Sequence, residues 1–173
     1  MSDEGRGRPT GGDGEARAIF AGGCFWGVEH HFSKEPGVLR ATAGYTGGHS
    51  PSPTYEQVCA GGTGHLEAVE VVFDPEVTSF ETLARLFFEI HDPTQPDGQG
   101  PDIGEQYRSA VFAIDDEQLG VARDLVALLR ERGLDVATEL RRAGPFCPAE
   151  ARHQGYHARE GTEPGFHVRV KRF

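Results

Sequence analysis

One segment of this 173-residue chain gathers the residue types that nucleophilic sulfur chemistry needs: Gly22-Gly23-Cys24-Phe25-Trp26-Gly27. A thiol at the first turn of a helix faces backbone N–H groups without intrahelical partners and the positive end of the helix dipole, which favours the thiolate. The flanking glycines let a ligand come close to the backbone, and the chain's only Trp beside Phe25 can make an apolar wall. An inert packing cysteine is the competing role, since free Cys is among the most buried residue types. The glycines tip the segment toward function.

Two further cysteines, Cys59 and Cys147, bring the total to three. An odd number at wide spacing does not make the disulfide framework of a small secreted protein and points to a free or redox-active thiol. Cys147, His153 and His157 could ligate zinc if Gly155 allowed a helical turn, but no fourth ligand is indicated and no metal is expected. The remaining histidines singled out, His30, His31, His49, His65 and His91, are scattered over helix ends and loops, where partly exposed polar roles are usual. Cys24 followed by His153 and His157 imitates the spacing of a papain-like hydrolase. That reading fails because the chain contains no Asn to orient the histidine, and Ala21 stands where a preceding cysteine would be.

The elements that must position Cys24 follow from the patterning. Residues 18–21 are apolar, end in Gly22-Gly23, and are followed by helix-compatible residues 24–32, which predicts strand, tight turn, helix. Residues 38–43 and 66–73 are the next strands, the second alternating Val69, Val71 and Phe73 before Asp74-Pro75. Thr78 and Glu81 have capping-box spacing, and Phe80, Leu83, Phe87 and Ile90 recur on one face of the helix that follows. A strand over 110–114, a helix over 116–132 closed by Gly133 and a strand over 136–140 complete the order β, α, β, β, α, β, α, β. That order predicts an α+β two-layer sandwich, an antiparallel or mixed sheet with helices on one face. Two long loops, between residues 43 and 66 and over 93–107, hold most of the Tyr, His and Gly and read as functional.

Composition bounds the rest. A single domain is expected, divided into a disordered leader over residues 1–16, a main body over 17–157 and a tail over 158–173 read as a solvated basic end rather than an edge strand. Seventeen basic against twenty-seven acidic side chains give a formal charge of −10, the wrong sign for nucleic acid or an anionic membrane surface. No run approaches the about 18 apolar residues of a membrane span, and a cytoplasmic monomer is expected.

A series of short matches then identifies a family. They are Gly23-Cys24-Phe25-Trp26-Gly27, Gly44-Tyr45-Thr46-Gly47-Gly48, Pro53-Thr54-Tyr55, Val58-Cys59, Thr63-Gly64-His65, Glu67, His91-Asp92-Pro93-Thr94, Gln99-Gly100, Asp102-Ile103-Gly104, Gln106-Tyr107-Arg108-Ser109, Thr138-Glu139, Phe146, Pro148-Ala149-Glu150, His153-Gln154 and Tyr156. In this order they resemble the A-type peptide methionine sulfoxide reductases, which reduce the S epimer of methionine sulfoxide, free or in proteins, and so repair oxidised proteins.

The resemblance implies a ferredoxin-like fold, a reductase domain over 17–157 and no cofactor. It makes Cys24 the thiolate that attacks the sulfoxide sulfur and becomes a sulfenic acid. Glu67 is implied as the acid that protonates the leaving oxygen, Tyr55 and Tyr107 as hydroxyl donors to that oxygen, and Asp102 as a carboxylate ordering polar groups. Phe25 and Trp26 are implied as the pocket for the substrate methyl group. Recycling would use thioredoxin or another thiol reductant, with Cys147, in a Gly-Pro-Phe-Cys-Pro stretch read as a movable surface loop, the first internal candidate for resolving thiol. Cys59 is the alternative, although its position suggests a packed strand-end residue. The chain departs from the family in having no cysteine after Cys147, which keeps open a module that binds oxidised methionine without turning it over.

Overall fold

The computed structural model describes residues 14–173. The leader expected over 1–16 lies outside the described residues up to residue 13, and Ala16 already opens the first strand. In chain order the elements are β1 (Ala16–Gly22), α1 (Phe25–Ser33), β2 (Val38–Thr46), α2 (Tyr55–Ala60), β3 (Leu66–Phe73), α3 (Phe80–Glu89), β4 (Gly98–Gln99), β5 (Asp102–Ile103), β6 (Ser109–Ala113), α4 (Asp116–Glu131), β7 (Glu139–Arg142), β8 (Phe146–Pro148) and α5 (Tyr156–Glu160). Six strands form one sheet in the order β7-β6-β1-β3-β2-β8, and β4 with β5 makes a separate hairpin. Every neighbouring pair in the large sheet is antiparallel except β6 with β7, so the sheet is mixed and the chain is α+β.

β1 and β3 are apolar almost throughout because both of their faces are covered. Ala18 and Phe20 point into the larger core cluster with Val28 and Phe32 of α1, Leu83 and Phe87 of α3 and Leu125 and Leu129 of α4. Ile19 and Ala21 point the other way, into a smaller cluster with Leu66, Ala68 and Phe112. Phe20 is the centre of the first, its ring 5.0 Å from both Phe32 and Phe87. Burying a side chain of this size stabilises by about 1.5–3 kcal/mol, so Phe20 is a principal anchor of α1 and α3 on the strand that leads to Cys24.

Some local expectations are corrected. α3 is capped by Ser79, whose hydroxyl accepts from the Thr82 N–H, and not by the Thr78 and Glu81 box. Ser79 has the extended backbone of a cap residue, which puts Thr78 one position too early. The first long loop contains α2, closed by a genuine capping box of Thr54 with Gln57. β7 starts at Glu139 and not at residue 136, and β8 and α5 are additional to the expected order. The tail is not a solvated end: His167 is 3% exposed, and Phe173 packs against the larger cluster. Among the described residues no helix is long and apolar enough to cross a membrane.

Candidate active site

β1 ends in the turn that delivers the thiol. Gly23 has a φ of +95°, and a Cβ there would stand 2.7 Å from Gln99 Cβ, so backbone and neighbour both require glycine. Cys24 is the N-cap residue of α1. The expectation that this setting makes the thiol easy to ionise is not met. Burial, and after it the Glu67 carboxylate, pushes Cys24 up to about 12, while the N–H groups of Trp26 and Gly27 pull the other way with less effect. An enclosed site penalises the thiolate more than two N–H groups stabilise it.

Glu67, near the start of β3, is 1% exposed. Its Oε1 accepts the Phe25 backbone N–H at 3.1 Å, and its Oε2 is buried without a hydrogen-bond partner. Burial raises the carboxyl to about 8, the Phe25 N–H opposing it and Asp102 adding to it, so the group is protonated at neutral pH. The carboxyl is thus raised in the direction the sequence reading expected.

Tyr55 begins α2, and Tyr107 ends a 3-10 turn over Glu105–Tyr107. Burial raises both phenols; Cys59 is the next influence on Tyr55, Glu67 the next on Tyr107, and Glu67 acts on both. Both remain neutral donors through the physiological range. Asp102, on β5, is raised by burial and in turn raises Cys24, Glu67 and Tyr107. Cys24, Glu67, Tyr55, Tyr107 and Asp102 thus form one electrostatically coupled group assembled from five separate segments of chain, the Phe25 N–H that holds Glu67 belonging to the same segment as Cys24.

Trp26 and Phe25 make different surfaces. The Trp26 ring stacks on Tyr156 at 3.8 Å, and its Nε1 donates to His153 Nδ1 at 3.1 Å. Phe25 is 1% exposed and packs between Tyr45, at 5.7 Å, and Tyr55, at 6.4 Å. A cavity of about 230 Å³ is lined by Cys24, Trp26, Asp102, Pro164, Phe166 and His167 among others. Phe25 is not part of that lining.

Residues beyond those assigned from the sequence complete the site. Glu150 accepts from the Tyr45 hydroxyl at 3.0 Å and from the Tyr55 N–H at 3.1 Å, which pins the start of α2. His153 lies 4.4 Å from Tyr55 and 5.4 Å from Phe25 between ring centroids, linking three of the aromatic groups. Tyr45, Glu150, His153 and Tyr156 all fell inside family matches without a role attached, whereas His167 had no signal in the sequence.

The zinc and hydrolase patterns dissolve in the same geometry. His153 is engaged by Trp26, and His157 Nδ1 by Thr162 Oγ1 at 2.8 Å. Cys147 lies on β8, an edge strand and not a loop, and borders a different cavity of about 670 Å³ with His65 and Arg141. Among the described residues no group of three or more His, Cys, Asp or Glu is arranged to hold a metal ion. Cys59, expected to be packed, is exposed on α2. It sits one helical turn after Tyr55, and burial raises its thiol, with the Tyr55 side chain opposing.

Comparison with known proteins gives a consistent result. Residues 16–172 match the family model described as peptide methionine sulfoxide reductase. The peptide methionine sulfoxide reductase MsrA of Methanosarcina mazei is 48% identical over 153 residues, covering 87% of this chain and 72% of that protein. In the solved structures, Mxr1 from Saccharomyces cerevisiae in its reduced form superposes with a TM-score of 0.83 at 33% identity, covering 92% of this chain and 93% of its own. The structure of Mxr1 in complex with Trx2 matches with a TM-score of 0.57 at 26% identity, over 82% of this chain and 84% of that one.

Proposed function

Because this chain belongs to the peptide methionine sulfoxide reductase family and reduces methionine sulfoxide in protein repair, we propose that it does so by attack of Cys24 on the sulfoxide sulfur with Glu67 as acid. The observation that carries the mechanism is the protonated, partnerless Oε2 of Glu67, held beside the nucleophile by the bond from Phe25 N–H. A sulfoxide oxygen is a poor leaving group until it is protonated, and a carboxyl near 8 can both give and regain a proton at neutral pH.

The protons balance within the site. The resting pair is a Cys24 thiol and a Glu67 carboxylic acid. Glu67 donates its proton to the sulfoxide oxygen as Cys24 sulfur bonds to the substrate sulfur, and the thiol proton restores Glu67. Transfer of the hydroxyl to Cys24 breaks the bond between the two sulfurs and releases the thioether, leaving a sulfenic acid. Tyr55 and Tyr107 donate to the oxygen while it carries charge, and Asp102 orders polar groups at the mouth.

Selectivity for the S epimer follows from this arrangement. A pocket that takes the methyl group against Trp26, supported by Phe25, and the oxygen against Tyr55, Tyr107 and Glu67 cannot hold the mirror-image sulfur with both contacts made. The sulfenic acid is recycled by attack of an external thiol, a redoxin such as thioredoxin, and the complex of the related Mxr1 with Trx2 supports that partner class. Substrates are oxidised methionine, free or in proteins. Three free thiols accord with a reducing, cytoplasmic setting. The order β6-β1-β3-β2, with α1 and α3 as connections, supports reading the core as a ferredoxin-like two-layer sandwich.

The test is single-turnover reduction of racemic methionine sulfoxide. Half of the substrate should react however much enzyme is added, and Cys24→Ser should convert none. Consumption of the whole racemate would overturn the pocket, and a tenth of the wild-type rate in Cys24→Ser would overturn the nucleophile.

A further inference from the structure

Residues 164–173 form no regular element, yet they are tied to the turn that carries the nucleophile. The His167 ring is buried and stands with Nε2 2.7 Å from the Gly22 carbonyl oxygen. A carbonyl only accepts, so His167 is the Nε2–H tautomer and donates. Its own carbonyl oxygen accepts from His31 Nε2 at 2.6 Å, which binds the same residue to α1. Gly27 has no room for a side chain because a Cβ there would collide with this ring.

Gly22 is also packed against a second imidazole. A Cβ on Gly22 would stand 3.3 Å from His91 Cγ. The His91 ring is immobilised through Phe87 O at 2.6 Å and Ser109 Oγ at 2.7 Å. Beyond His167 the strap is fastened to the end of α3, where the Glu89 carboxylate receives Arg169 Nε at 2.9 Å and the Arg172 N–H at 3.1 Å. The Val170 N–H also donates to the Glu89 carbonyl at 2.7 Å. Gly22 and Gly23, the two residues that lead into Cys24, are thus packed against one ring from the segment that follows α3 and one from the C-terminal strap.

We propose that His167 is a positioning residue: its Nε2–H bond to the Gly22 carbonyl fixes the turn between β1 and α1, and so fixes the direction in which the Cys24 thiol is presented to the substrate sulfur. The inference rests on the assignment of Cys24 as nucleophile. It gives residues 164–173, which carry no cysteine, a part in the reaction. Attack at sulfur is directional, and displacement of a reacting atom by about 1 Å can cost on the order of a hundredfold in rate.

His167→Leu removes the donor at similar volume, whereas the amide nitrogen of His167→Gln can still reach the Gly22 carbonyl. We expect His167→Leu to lower the single-turnover rate constant about tenfold to a hundredfold with half-saturation by methionine sulfoxide within about twofold, and His167→Gln to recover most of the loss. A His167→Leu rate within twofold of wild type, or an equal loss in His167→Gln, would overturn the proposal. Should His167→Leu not fold, His31→Phe removes the bond to the His167 carbonyl from a half-buried position on α1, and an unchanged single-turnover rate in that variant would overturn it as well. Cys24→Ser is measured alongside: activity there defeats the nucleophile, whereas an inactive Cys24→Ser with an unaffected His167→Leu defeats the strap alone.

Discussion

The Phe25 backbone N–H donates to Glu67 Oε1 at 3.1 Å and leaves Glu67 Oε2 buried and unpaired. Phe25 is the residue after Cys24, so the proposed acid is fastened to the helix that carries the proposed nucleophile. With Oε1 occupied as an acceptor, the proton of the neutral carboxyl sits on Oε2. The bond therefore decides both where the acid is and which of its oxygens delivers the proton.

The first consequence is a pH profile. The acid form of Glu67 is depleted as pH rises through about 8, so the single-turnover rate should fall with that midpoint. Glu67→Gln should lose this limb and about 10² to 10⁴ in rate. Stability gives an independent reading. The folded value lies above the ordinary 4.5, so the contribution is fully present below that value and is lost as pH rises through about 8. The melting temperature of Glu67→Gln should then exceed that of wild type well above the midpoint, and parallel curves of melting temperature against pH would show that the carboxyl does not titrate there.

Tyr55 and Tyr107 come from two elements, α2 and the turn after β5, and burial keeps both hydroxyls protonated, as the proposed role of donors to the sulfoxide oxygen requires. Donors that engage a developing charge affect the transition state more than the bound substrate. Tyr107→Phe and Tyr55→Phe should each reduce kcat by about 10² to 10³ with little change in KM. A rise in KM at constant kcat would instead assign the phenols to ground-state binding.

The stack of Tyr156 on Trp26 separates wall from chemistry. Tyr156→Ala removes an aromatic contact worth about 0.5–1.5 kcal/mol and loosens the indole that lines the cavity beside Cys24, so KM should rise about two- to tenfold while the pH midpoint stays in place. Steady-state kinetics across pH checks both parts. Movement of the midpoint would mean that Tyr156 also shapes the surroundings of Glu67.

The sequence made the nucleophile turn, β3 and the helix faces legible because each is a local signal: Gly22-Gly23 before an apolar helix, alternation at Val69, Val71 and Phe73, and the spacing of Leu83 and Phe87. What escaped it depends on contacts between distant segments. The thiol's high pKa comes first from burial, then from the charges of Glu67 on β3 and Asp102 on β5, which together outweigh the helix N-terminus that the local sequence advertises. α2 was hidden by its Gly-, Pro- and Ser-rich surroundings although Thr54 and Gln57 carry a capping box. His167 could not be foreseen, since alternation of Val and basic residues in a tail says nothing about a bond made 145 positions away.

The last expectation concerns recycling, where the structure redirects the sequence reading. Tyr45 pairs with Cys147 on one side and with Glu67 on the other, so Cys147, Tyr45 and Glu67 form one row across β8, β2 and β3. Cys24 leaves β1, the strand beyond β3. At about 4.8 Å between neighbouring strands, three steps put Cys147 on the order of 14 Å from the nucleophile's side of the sheet. A disulfide needs Cα atoms within about 7 Å, so Cys147 could resolve the sulfenic acid only if β8 peeled away from β2. Cys59 is exposed one helical turn after Tyr55, which leaves it as the other internal candidate, while the partly exposed Cys24 is open to an external thiol. After one turnover without added thiol, wild type should therefore lose a single titratable thiol and give a dimedone adduct on Cys24, and Cys147→Ser should behave identically. Loss of two thiols that Cys59→Ser prevents would make Cys59 the resolving residue. Loss of two thiols that only Cys147→Ser prevents would mean that β8 detaches during the cycle, and would return the role to Cys147.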